Sequence, residues 1–90
     1  MDATSAAVRV LLVDDHKVLR DGLRVLLEQE PDLRVVGEAG TGAQALELAR
    51  SLAPDLMVLD LGLPDMAGID VVRALRQDGS GIKIVILSMF

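Results

Sequence analysis

Four short apolar runs alternate along this 90-residue chain with three segments of helical periodicity, and that alternation narrows the possible folds more than any other feature. The runs are Val8–Val13, Leu33–Val36, Leu56–Leu59 and Ile82–Leu87. They are too short for independent helices and rich in valine, isoleucine and leucine, as strands buried on both faces are. Between them, Val18, Leu19, Leu23, Leu26 and Leu27 recur at helical spacing from Lys17 to Glu30, where Pro31 stops the pattern. Ala45, Leu46, Leu48, Ala49 and Leu52 form a second stripe, ended by Pro54. Ile69, Val72, Ala74 and Leu75 form a third, broken by Gly79-Ser80-Gly81. Gly37 to Gly42 reads as one turn, and Gly62, Pro64 and Gly68 mark another. The order β-α-β-α-β-α-β requires right-handed crossovers and therefore an α/β fold, a parallel sheet flanked by helices. Residues 1–7 are expected to be a flexible leader and residues 8–90 a single domain.

In such sheets the ligand site lies outside the carboxyl ends of the strands. Here those ends carry Asp14-Asp15, Asp60 and Ser88. Two like charges about 4 Å apart repel by a few kcal/mol at an intermediate effective dielectric. A divalent cation held by oxygen ligands removes that repulsion. With only two or three side-chain oxygens on offer, such an ion keeps waters or takes substrate oxygens, which suits Mg²⁺. No histidine or cysteine partner is expected beside the acids, which disfavours zinc. An aspartate beside Mg²⁺ is equipped to attack phosphorus and form an acyl phosphate. Ser88, on a neighbouring strand end, is placed to donate a hydrogen bond to a phosphoryl oxygen, and Gly62 allows close backbone approach.

Composition excludes several alternatives. Fourteen acids against nine bases, net charge −5, argue against this segment gripping nucleic acid, and Arg34 has no basic neighbour in sequence. No apolar run approaches bilayer length, so no membrane partner is expected. The absence of cysteine suits a reducing, cytoplasmic location. Asp55, Asp65, Asp70 and Asp78 read as solvated or capping residues, His16 as a surface or capping residue at a helix start, and Pro64 and Gly68 as shapers of their loop. Gly40-Thr41-Gly42-Ala43-Gln44-Ala45 imitates a dinucleotide fingerprint, yet it follows the second strand and leaves the acidic pair unexplained.

The segments Val-Leu-Leu-Val-Asp14-Asp15-His16, Pro54-Asp55-Leu-Met-Val-Leu-Asp60, Leu-Gly-Leu-Pro64-Asp-Met-Ala-Gly68 and Ile-Val-Ile-Leu-Ser88 together resemble the receiver domain of response regulators from two-component systems. The match runs from about Val8 to the last residue. The Asp-Asp-His start and Val36-Gly-Glu-Ala39 resemble the subfamily usually fused to a LuxR-type helix-turn-helix DNA-binding domain. The resemblance implies a flavodoxin-like doubly wound sheet of strand order 2-1-3-4. It further implies Asp60 as phospho-acceptor, Asp14, Asp15, Asp60 and the Gly62 carbonyl as Mg²⁺ ligands, Ser88 as the hydroxyl that senses the phosphoryl group, and a sensor histidine kinase as donor. Receivers of this family also possess a fifth strand ending in lysine and two further helices. This chain ends at Phe90, so a partial receiver without that lysine is expected; Lys83, at the start of the fourth strand, is at the wrong end to replace it.

Two other readings compete. A partial receiver would expose its fourth strand and a sheet face, and would act as a dimerisation module without switching. A phosphatase of the haloacid-dehalogenase kind would need an acid two residues after Asp60, where this chain has Gly62.

Overall fold

The computed structural model describes residues 7–87. The expected leader, apart from Ala7, lies outside the described residues, as does Ser88. The elements run β1 (Val8–Val13), α1 (Lys17–Glu28), β2 (Leu33–Ala39), α2 (Gly42–Leu52), β3 (Leu56–Asp60), α3 (Gly68–Gln77) and β4 (Lys83–Leu87). The four strands form one parallel sheet in the order β2-β1-β3-β4, the order expected from the sequence.

β1 is the central support. Val10, Leu11, Leu12 and Val13 are almost wholly excluded from solvent, and successive residues point to opposite faces. Leu11 and Val13 join Met57, Leu59, Ala45, Val71 and Leu75 in a core beneath α2 and α3. Val10 and Leu12 join Val35 and Val58 on the other face, with Leu23 and Leu27 of α1 packed against them. Each such buried aliphatic side chain contributes about 1.5–3 kcal/mol of transfer free energy. Where the strand is covered on both faces, from Val10 to Val13, no position is left for a polar residue, and Arg9 lies in the less buried first part.

The structure departs from the sequence reading at three places. β2 continues through Gly37 to Ala39, so Gly37 is a strand residue and not part of a turn. A Cβ there would lie 2.8 Å from Leu52 Cδ1, so a larger residue would need the leucine methyls beneath α2 to shift. In α1, Val18 is 86% exposed and Leu26 61%, and no α1 residue is fully buried. The helix packs on the sheet core through Leu23 and Leu27, so part of its apolar stripe faces outward. In α3, Val71 and Leu75 form the buried face with Gly68, whereas Ile69 is exposed.

Gly68 sets that phase. It is the first residue of α3, not a member of the preceding turn, and its backbone lies against the end of β3. A Cβ at Gly68 would meet Leu61 Cα at 2.8 Å and Asp60 O at 2.9 Å. Both are backbone atoms, which cannot rotate away. Gly68→Ala is therefore expected to destabilise the fold by about 1–3 kcal/mol through overpacking. Chemical denaturation of the two proteins checks this, and an unchanged midpoint would contradict the close approach.

Candidate metal and phosphoryl site

Parallel pairing brings the acidic residues together. Val13 of β1 is in register with Leu59 of β3, so Asp14 and Asp60, each one residue further on, emerge side by side at the carboxyl rim. Both are buried, Asp14 at 3% exposure and Asp60 at 8%. Asp15 follows at the surface. Asp14, Asp15, His16 and Asp60 each offer a ligand atom, and these four atoms lie within 4.8 Å of one another.

The bonding of Asp14 is specific. Its backbone N–H donates to Ala39 O at 3.0 Å. Its Oδ1 accepts from the His16 backbone N–H at 2.7 Å and lies 2.8 Å from His16 Nδ1. Its Oδ2 is buried and has no hydrogen-bond partner among the described residues. A buried carboxylate oxygen without a partner is unfavourable by a margin that proteins rarely tolerate. Set among two further carboxylates, it has the donor chemistry of an oxygen-ligated divalent cation site. Asp60 Oδ1 accepts from the Gly62 N–H at 3.1 Å.

His16 is the residue that the sequence reading undervalued. The expectation that no histidine accompanies the acids does not hold, because the imidazole also reaches Asp15 Oδ1, at 3.1 Å. The hydrogen bond with Asp14, followed by the charge of Asp15, raises the His16 pKa above its ordinary value. When protonated, the imidazole offsets part of the charge of the acidic pair. The signal in the sequence was adjacency alone, and here the third side chain turns back on the first.

The loop beyond Asp60 is closed tightly. Gly62 pairs with Ala67 in an isolated antiparallel bridge, and Gly68 N–H donates to Leu61 O at 2.9 Å. Pro64 and Asp65 occupy the exposed tip. Asp65 is a capping residue, as expected of its type, but it caps a distant helix. Its carboxylate accepts from the backbone N–H groups of Gly42 at 2.7 Å and Ala43 at 3.0 Å, at the start of α2. Those donors are therefore occupied by an internal carboxylate, which removes the phosphate cradle that a dinucleotide fingerprint would require. Asp55 and Asp78 likewise serve remote partners, the Arg9 N–H and the Arg50 guanidinium.

Lys83 opens β4 opposite Leu56, whereas Asp60 is in register with Leu87 at the other end. The lysine is thus at the pole away from the acids, as expected. Arg34, isolated in sequence, stands beside Arg9 on the neighbouring strand.

Residues 10–90 match the family model described as the response regulator receiver domain. The chain belongs to the response-regulator receiver family. This receiver is 46% identical over 80 residues to the nitrate/nitrite response regulator protein NarL of Escherichia coli K12, covering 89% of this chain and 37% of that protein. It is 41% identical over 83 residues to the transcriptional regulatory protein LiaR of Bacillus subtilis 168, covering 92% of this chain and 39% of the relative. Among solved structures it superimposes on a two-component response regulator of the LuxR family from Aurantimonas sp. SI85-9A1 with a TM-score of 0.89 and 40% identity, over 94% of this chain and 61% of that one. The receiver thus spans about two fifths of the length of these curated relatives. Membership places it among the signal-receiving modules of phosphorelay systems, in the subfamily expected from its Asp-Asp-His start.

The two backbone hydrogen bonds to Asp65, from Gly42 and then Ala43, lower its pKa below 3.8. A group whose pKa is lower folded than unfolded contributes stability above its unfolded value and loses it as pH falls through the folded one. Asp65→Asn is accordingly expected to melt at a lower temperature than the parent at neutral pH. The gap should narrow below about pH 4 as the parent's carboxylate is protonated. Melting curves across that range check the sign, and a gap independent of pH would refute it.

Proposed function

We propose that this receiver accepts a phosphoryl group on Asp60 from a phosphohistidine of a sensor kinase, with Mg²⁺ as cofactor. The unpartnered Oδ2 of Asp14, buried beside Asp60 at the sheet rim, is the observation that carries the reading. Asp14, Asp15, Asp60 and the Gly62 carbonyl are the ligands proposed for the ion. When bound, it supplies charge neutralisation for the carboxylates and for the oxygens of the incoming phosphoryl group.

The remaining work belongs to the chain. The Gly62 N–H engages Asp60 Oδ1 and so restrains the carboxylate, leaving Oδ2 as the attacking atom. An O–P bond forms as the P–N bond to the kinase imidazole breaks, and the bonding pair returns to that imidazole. Ser88, next after the residue in register with Asp60, is assigned the hydrogen bond to a phosphoryl oxygen. Pro64 and Gly68 hold the loop that carries Gly62. The receiver promotes its own modification and is not a separate catalyst. Its output is assigned to a LuxR-type DNA-binding domain controlling transcription, in the cytoplasm, with no nucleic-acid contact by this segment. Among the described residues no helix is long and apolar enough to cross a membrane.

Incubation of the 90-residue chain with radiolabelled acetyl phosphate and Mg²⁺ tests the assignment. Label on the parent should be lost on chelation of Mg²⁺ and should fall to background in Asp60→Asn. Undiminished labelling of that variant would remove Asp60 from the role.

The exposure of Val85 and Ile86 favours a second reading, self-association of this chain through β4. These neighbours point to opposite faces of an edge strand, so both faces there are apolar and accessible, which invites pairing with another chain. Light-scattering mass measurements should then give a dimer or larger assembly, and a stable folded monomer would exclude it.

A further inference from the structure

Asp14 has four polar backbone and side-chain atoms, and three of them are committed within the chain. The N–H bonds to Ala39 of β2, and Oδ1 is held by His16. The carbonyl oxygen accepts from Arg20 Nη1 at 2.5 Å. Only Oδ2 remains open. The Arg20 bond differs in kind from the others, because the carbonyl of Asp14 belongs to the peptide plane that joins Asp14 to Asp15. Whatever holds that oxygen sets the direction in which both side chains leave the backbone.

Arg20 is itself well braced. It sits one turn into α1, its N–H bonded to His16 O at 2.9 Å. Its side chain is only 17% exposed, and Nε donates to Glu38 Oε1 at 3.2 Å. The second oxygen of Glu38 accepts from Arg24 Nη1 at 3.1 Å, which keeps the carboxylate from turning away. A Cβ at Gly40 would lie 3.2 Å from Arg20 Nη1, so the turn after β2 closes over the guanidinium. One planar fork thereby ties α1, the end of β1 and the end of β2 together at the rim. A lysine could reach one of the two acceptors but could not span both in a fixed plane.

We propose that Arg20, braced by Glu38, is a positioning residue for the cation site, locking the Asp14–Asp15 peptide so that both carboxylates face a divalent ion. This rests on the reading of the acidic cluster as a metal site. Arg20 touches neither the ion nor the phosphoryl group; it acts through the peptide of two ligands.

The sign of its effect separates this role from the alternatives. A positive charge near a cation site opposes binding by electrostatics alone, so loss of charge in Arg20→Gln would tighten Mg²⁺ if countercharge were its only role. Locking of the peptide predicts the opposite. Isothermal titration of the 90-residue chain with Mg²⁺, paired with thermal melts in chelator, is the experiment. Arg20→Gln and Arg20→Lys are both expected to weaken Mg²⁺ binding about tenfold, the lower end of the range for residues that orient metal ligands. Tighter binding by Arg20→Gln with unchanged binding by Arg20→Lys would overturn the proposal in favour of countercharge. A lowered melting temperature with unchanged Mg²⁺ affinity in both variants would overturn it in favour of a purely structural tie. Should Arg20→Gln fail to fold, Arg20→Lys, which keeps the charge, decides on the same criteria. A parent chain that takes up no Mg²⁺ at saturating concentration overturns the cation site, whereas a parent that binds beside unaffected variants overturns only the role of Arg20.

Discussion

Parallel pairing of β1 with β3 is the constraint on which the site depends. It delivers two carboxylates, Asp14 and Asp60, to adjacent places on a rim where both are almost fully buried. Nothing in packing favours that arrangement, since like charges repel and buried oxygens without partners are unfavourable. The sheet sustains it because the apolar burial of Val10 to Val13 and Met57 to Leu59 outweighs the local conflict. The conflict is also divided among several partners. His16 engages both acids of the pair, Gly62 engages Asp60, and Arg20 engages the peptide between Asp14 and Asp15. One buried side-chain oxygen, Asp14 Oδ2, is left without a partner among the described residues, and it belongs to a member of the cluster.

The loop after Asp60 shows how a mobile-looking sequence becomes a defined object. Its base is pressed against β3 by Gly68, and its span is closed by the bridge between Gly62 and Ala67. Its tip is held by Asp65 on the first N–H groups of α2, with Met66 lying over Gly42. A Cβ at Gly42 would run into the Met66 side chain, which would have to move. The loop is therefore in contact with α2 as well as with α3. The loop thus connects the end of β3 at Asp60 to two helices on the same face of the sheet.

Much of the architecture was legible along the chain. Valine-rich runs of four to six residues and three helical stripes implied the element order, and the element order implied a parallel sheet with its site at the carboxyl rim. Asp14, Asp15 and Asp60 were picked out because they terminate two such runs. The motifs around them carried the family, which the match over residues 10–90 bears out. The errors have a common cause. Gly37 and Gly68 looked like turn residues because glycine favours turns, but Gly37 lies in β2 under leucine side chains and Gly68 lies against backbone too close for a Cβ. Ile69 looked buried because hydrophobicity alone does not set the phase of a helix; the contact of Gly68 with Leu61 does.

What the sequence determined by itself was local and periodic: which segments are strands or helices, and which residues end the strands. Those properties follow from neighbours a few positions apart, where spacing and residue type suffice. Only the tertiary structure decided which donors meet which acceptors across the chain. Asp65 to the start of α2, Asp55 to Arg9, and Arg20 to both Glu38 and the carbonyl of Asp14 are pairings of that kind. A side-chain hydrogen bond spans about 3 Å and is directional. Its partner is therefore chosen by the packing of whole elements, which no local pattern of residues encodes.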